Sequence, residues 1–321
     1  MKLLFSVITA FSISGKNPDT TRQVECSTDH CRDVIGVMKN DNVTKDYVFD
    51  KQIYQLGCDT LPQVKFWQQV MKLPKDSFLV NIAESRKIVA KISADDWEAK
   101  SDVQKEFYKN EIRKANGLTD SSKIFITSGK SFFYDFDNAY RNIHQGIQCF
   151  VSNGVDPWYA QAILLIESPN KLQKSNVGAY GPFQLMKSVA RMYGLKVNKH
   201  TDERADFNRS AYAASSLLKN ICIPKAKEML DTMGITYNEQ DVWFRLLVMH
   251  CYHAGAGNVR AALAAINPNH GGIHIIQKLW KTEAKGFRTA SQNYSQLALA
   301  AMVEMDKRLA IENKNLVAFS K

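Results

Sequence analysis

The sequence lacks the features that would place it in several common classes. Its six cysteines, Cys26, Cys31, Cys58, Cys149, Cys222 and Cys251, show no paired CxxC spacing, which argues against a thiolate metal site. Six are also too few to staple a chain of 321 residues as a disulfide scaffold. Zinc-finger spacing, an RNA-binding aromatic signature and a heptad basic region are all missing, so nucleic acid drops down the list of partners. After the first residues nothing approaches 18 consecutive apolar positions, which leaves no candidate for a spanning helix. No fixed-period repeat is visible either. Acidic residues are in deficit: 42 Lys and Arg against 32 Asp and Glu give a formal charge of +10. That balance favours acidic polymers such as nucleic acid, anionic membrane or an anionic cell-wall glycan, and is also compatible with a merely basic, soluble protein.

What is present starts with MKLLFSVITAFSISGK, one Lys followed by an apolar run and then small residues at Ser12, Ser14 and Gly15. This has the shape of a secretory signal over residues 1–15, although an N-terminal core segment would read similarly. With no Cys just after the run to accept a lipid, the expectation is a soluble protein exported to the periplasm or cell envelope. Cys26 and Cys31 flank a short polar loop and could pair in an oxidising compartment. Cys149, Cys222 and Cys251 lie in apolar, helical-looking contexts that suit buried free thiols.

Two textures follow. Residues 16–130 read as a smaller mixed α/β region: irregular chain or one short helix to about residue 60, a helix from Pro62 to Leu73, strands in SFLVNIA, RKIVAKI and KIFITSG, and a charged helix from Ser93 to Gly117. From residue 131 to 315 strand signals nearly vanish. Helices are expected from Asp137 to Phe150, from Pro157 to Ser168, from Pro182 to Tyr193, from Arg209 to Ile221, after Asp241 to Tyr252, from Val259 to Ile266 and from Ser291 to Ile311. Asp156–Pro157 supplies an N-cap with Pro at the first helical position, and Gly194 a C-cap. The fold class is therefore mainly α, an all-α domain of about 180 residues behind a small mixed region.

Glu167 ends the otherwise apolar run WYAQAILLIE. It lies one turn from Ile163 and Leu164 and at the negative end of the helix dipole, and both settings raise a carboxyl pKa. An acid held protonated near neutrality can protonate a glycosidic oxygen, whereas the same residue turned out at a frayed helix end would be solvated. Two small-residue turns follow it in sequence. The first, SNVGAYGPFQLM, carries Ser175, Gly178, Tyr180, Gly181 and Gln184; the second, YHAGAGNV, carries Tyr252 and His253. Small residues let backbone approach a bound chain closely, and an amide or imidazole can bond hydroxyls.

Glu167–Ser168, SNVGAYGPFQLM, the loop YGLKVNKHTDERADFNRSAYAASSLL and YHAGAGNV, in that order, resemble the soluble lytic transglycosylase (SLT) domain over about residues 135–305. The resemblance is closest to the membrane-bound lytic murein transglycosylase D type. It implies a lysozyme-like fold and cleavage of the β-1,4 bond between N-acetylmuramic acid and N-acetylglucosamine in peptidoglycan strands. One Glu would act as acid and then as base on the C6 hydroxyl, giving a 1,6-anhydro product with no cofactor and no metal. The resemblance makes Glu167 the catalytic residue, and puts Ser168, Ser175, Gly178, Tyr180, Gly181, Gln184, Tyr252, His253 and Tyr294 on the saccharide. His253 departs from the usual Asn, and Cys251 from the usual Ala. A two-carboxylate hydrolase would need a second acid about 5–9.5 Å away. The candidates are Asp202, Glu203, Asp206 and Glu283, of which the first three sit in a polar loop better read as capping. A goose-type-like hydrolase using the same Glu and a silent glycan-binding module remain as alternatives.

Overall fold

The computed structural model describes residues 21–23, 33–38, 44–134, 136–167 and 174–312. The expected signal segment, the Cys26–Cys31 pairing and Ser168 lie outside the described residues. The chain opens on a three-stranded antiparallel sheet of β1 (Thr21–Gln23), β2 (Val34–Met38) and β3 (Thr44–Val48), in that order. Irregular chain or a single short helix was the expectation for this stretch, and the sheet corrects it. The strands are too short to show a clear period of two. What holds them is remote: the Gln161 carboxamide accepts from the Val48 N–H at 2.8 Å and donates to the Val48 carbonyl at 2.8 Å. A helix side chain thus takes the place of a neighbouring strand, which no local pattern announces.

After α1 (Gln52–Gln55) comes α2 (Pro62–Lys72), which buries Val64, Phe66, Trp67, Val70 and Met71 as its periodicity predicts. A second antiparallel sheet, ordered β5-β4-β6, is built from β4 (Ser77–Ile82), β5 (Ile88–Ser93) and β6 (Ile124–Ser128). The single charged helix expected after Ser93 is two helices, α3 (Ala94–Glu98) and α4 (Asp102–Ala115). Ser93 does cap the first through the Asp96 N–H at 3.0 Å. Ser101 and Gln104 then form a reciprocal capping box that stops one helix and starts the next.

The remainder is helical: α5 (Phe136–Ser152), α6 (Pro157–Glu167), α7 (Lys187–Met192), α8 (Phe207–Leu217), α9 (Ile223–Thr232), α10 (Val242–Ala254), α11 (Ala256–Ile266), α12 (Ile273–Leu279) and α13 (Thr289–Glu312). The class is mainly α with small sheets in front, as the texture of the sequence indicated. From Pro157 to Ile166 every residue of α6 is buried, so it forms the central rod, with the Trp158 N–H capped by Asp156 at 2.9 Å. The helix expected from Pro182 begins only at Lys187, because Gly181 (φ 88°) and Gln184 (φ 46°) bend the chain into a tight turn first. The helix expected to end at Ile221 passes through a π-helical turn, Leu218–Cys222, into α9. That wider turn accommodates Pro224, which would break a continuous α-helix. The short α12 follows the Asn–Gly-rich run before it and was not anticipated.

One apolar core joins Val34, Val37, Tyr47 and Phe66 to residues of α5, α6, α10 and α13. The β4–β6 sheet keeps a small core of its own around Val80, Ile82 and Ile124. Among the described residues no helix is long and apolar enough to cross a membrane. Cys58, Cys222 and Cys251 are buried free thiols and Cys149 is a half-buried one.

Candidate active site

The buried rod α6 carries Glu167 on its last residue, where the helix surfaces, and leaves the residue half-buried. Burial among apolar neighbours pushes the carboxyl up to about 7. The buried Tyr294 hydroxyl pulls the other way, but makes no hydrogen bond of ordinary length and angle, so the contact is a near approach. Glu167 in turn raises the phenols of Tyr252, Tyr294 and Tyr134. Three phenols therefore lie within electrostatic reach of one carboxyl. Tyr134 comes from the turn before α5, and nothing in its sequence context marked it.

A cleft of about 210 Å³ opens over the carboxyl, lined by Glu167, Ser175, Gln184, Tyr252 and His253 among others. Its near wall is the small-residue loop. Ser175 Oγ accepts from the Ala179 N–H at 2.9 Å, and Tyr180 and Leu185 exchange backbone hydrogen bonds at 3.1 and 3.0 Å. Gly178 and Gly181 both have positive φ. A Cβ on Gly181 would stand 1.8 Å from the Arg204 carbonyl oxygen, so only glycine fits. Gln184 donates its amide back to the Gly181 carbonyl at 3.1 Å while still facing the cleft. Met186 is 42% exposed and lines the opening. The turn that delays α7 carries it outward.

Behind the loop lies fully buried Arg204, which sequence reading passed over as part of a polar loop. Its guanidinium donates to the carbonyls of Gly178 and Leu185, each at 2.8 Å, and forks onto Asp202 at 2.8 and 2.7 Å. It also sits 5.5 Å from the Tyr180 ring. The signal that could have found it is the Asp-x-Arg spacing beside two glycine turns. Asp206 accepts from the Arg209 N–H and caps α8; Glu203 accepts from the Lys196 N–H at 2.7 Å; Glu283 pairs with Lys123 at the surface. Of the carboxylates among the described residues, only Glu167 lines the cleft.

The far wall is the end of α10. The Tyr252 hydroxyl donates to the Phe183 carbonyl at 2.7 Å, tying that wall to the loop. His253 stands exposed at the mouth, with its ring stacked 4.3 Å from that of Tyr294. Partial desolvation holds its pKa below the ordinary histidine value, so it is neutral at neutral pH. One turn earlier, His250 is wholly buried, shares a 2.8 Å hydrogen bond with Ser295, and is pushed down to about 3 by burial. The structure thus brings Glu167, Ser175, Gln184, Tyr252 and His253 around one opening, with Tyr294 behind it and Gly178, Tyr180 and Gly181 shaping the loop.

Among the described residues no group of His, Cys, Asp and Glu could hold a metal. No curated protein and no solved structure matches the chain. Residues 147–269, from the end of α5 to just past α11, match the family model described as Transglycosylase SLT domain, and that stretch, which holds Glu167 and both glycine turns, is similar to that domain.

Proposed function

We propose that this chain is a peptidoglycan lytic transglycosylase that cleaves the β-1,4 bond between N-acetylmuramic acid and N-acetylglucosamine. The observation that carries the reading is a lone cleft carboxyl held at about 7 by burial. Such a group is about half protonated at neutrality and can give its proton to the glycosidic oxygen as the bond to the anomeric carbon breaks. The resulting carboxylate then takes the proton of the muramic C6 hydroxyl, whose oxygen closes on the anomeric carbon. The 1,6-anhydro ring forms, Glu167 regains its proton, and no water is consumed. A single carboxyl suffices because the nucleophile belongs to the sugar. Tyr252 and His253 line the sugar's path, and the loop carrying Ser175, Gly178, Tyr180, Gly181 and Gln184 forms the wall against which the strand lies.

The catalytic unit is taken as residues 131–315, with β2, β3 and α2 packed into the same core, and residues 1–15 as an export signal. The likeness to the D-type branch rests on the sequence of the GLKV…DER loop, which the Asp202–Arg204 clasp holds. Mass spectrometry of digested sacculi tests the reaction: anhydro-muramic ends are expected, and reducing ends in their place would assign the same Glu to hydrolysis. Glu167→Gln should clear sacculi at least about a hundredfold more slowly. Equal clearing would remove Glu167 from the chemistry.

A further inference from the structure

Away from Glu167, a second cleft of about 400 Å³ separates the β4–β6 sheet from the α12–α13 junction. Arg86 forms part of its wall and is only 6% exposed. Its guanidinium lies 5.2, 5.6 and 5.4 Å from the rings of Phe66, Trp67 and Phe125. It donates to two neutral amides, Asn81 at 3.1 Å and Asn293. Its Nε is buried without a partner. Among the described residues no carboxylate pairs with it. The other buried arginines, Arg204 and Arg245, are each paired with aspartate. A buried cation without a counter-charge is costly, and aromatic faces recover only part of that cost. Desolvation alone, unopposed by any neighbouring charge, lowers the Arg86 pKa to about 10.

The rim leaves this charge uncancelled. Lys123 is paired with Glu283 at 2.8 Å and Lys281 with Glu84 at 3.4 Å, so the two pairs are neutral and Arg86 gives the cleft its surplus positive charge. Both pairs run from the sheet to the α12–α13 junction and hold the cleft's sides together. Hydroxyls of Thr119, Ser121 and Ser122 line the same space. A planar guanidinium with an unpartnered Nε–H, neutral amides beside it and hydroxyls lining the same space suit a carboxylate, which accepts such hydrogen bonds in pairs.

We propose that this cleft is a binding site for a single carboxylate on a peptide. On the reading of the chain as a peptidoglycan enzyme, that group belongs to the peptide stem of the substrate. Asn293, which Arg86 grips, immediately precedes Tyr294 on α13. Occupancy of the cleft is therefore next in the chain to the phenol at Glu167, and the site favours strands that still bear peptides.

The test is calorimetric titration of the full chain with the free stem tetrapeptide, without sugar, against the same peptide with all its carboxylates amidated. The acid form should bind at least about tenfold tighter. Arg86→Gln should bring its affinity down to that of the amide. Equal binding of acid and amide, or binding of neither, overturns the proposal without any variant having to fold. A folded Arg86→Gln protein that still prefers the acid overturns it too. None of these readouts involves glycan cleavage, so a chain that binds the acid form yet yields no anhydro ends would sink the transglycosylase reading and leave the carboxylate site standing.

Discussion

At the scale of single residues, Glu167 and Tyr294 set the pH behaviour. In the proposed reaction Glu167 is the general acid and must be protonated when substrate binds, so kcat/KM should fall as pH rises through about 7. Tyr294 lowers the carboxyl pKa, so Tyr294→Phe should move that descending limb to higher pH. A limb that stays in place, read from a kcat/KM–pH profile, would separate the tyrosine from the acid. The same shift acts on stability. The folded pKa lies above the ordinary glutamate value, so the contribution of Glu167 is present at low pH and lost as pH rises through about 7. Glu167→Gln should therefore be more stable than the parent at pH 8, by about 1–3 kcal/mol, and nearly equal to it at pH 4. Urea midpoints at the two pH values measure this.

At the scale of elements, the loop between α6 and α7 depends on Gly181 and Arg204. Gly181→Ala forces a methyl onto the Arg204 carbonyl at a positive φ and should cost about 1–3 kcal/mol. Because the loop forms the cleft wall, KM for glycan should rise more than kcat falls; thermal melting and steady-state kinetics on one preparation test both. The long helices and this loop's glycines were legible in the sequence, because α2, α6 and α13 carry their own periodicity, caps and breakers. What escaped depends on partners far along the chain. The β1–β3 sheet is held by Gln161, about a hundred residues away, and α7 starts late because of a turn whose geometry is set by Arg204. Glu167 stood out as one charge ending an apolar run. Tyr134 did not, since a tyrosine among aromatics reads as core until the fold carries it to the carboxyl.

At the scale of the whole molecule, the first sheet and the last helix are clasped by one acid. Asp306 on α13 accepts from the Tyr47 hydroxyl at 2.8 Å and from the Tyr54 hydroxyl at 2.6 Å, one on each carboxyl oxygen. Burial pushes Asp306 up to about 7, against the two phenols that lower it. With a folded pKa above its unfolded value, Asp306 contributes stability that is complete below about pH 3.8 and is lost as pH rises through about 7. Buried His250 acts oppositely: its folded value of about 3 lies below the unfolded 6.5, so its contribution is lost as pH falls from about 6.5 towards 3. Between pH 4.5 and 6 the rise from His250 offsets the fall from Asp306 and leaves the fall from Glu167; above about pH 6.5 the rise from His250 is complete and only the two carboxyls still titrate. Stability of the parent chain should therefore fall gently from about pH 4.5 and more steeply between pH 6 and 8. Asp306→Asn keeps the shape but cannot accept from both phenols, so it should be destabilised by about 1–3 kcal/mol where the acid is protonated. It also cannot ionise, so its stability should fall less between pH 6 and 8 than that of the parent. An undiminished fall in the variant, followed by urea denaturation across that interval, would show that the clasp is not what titrates.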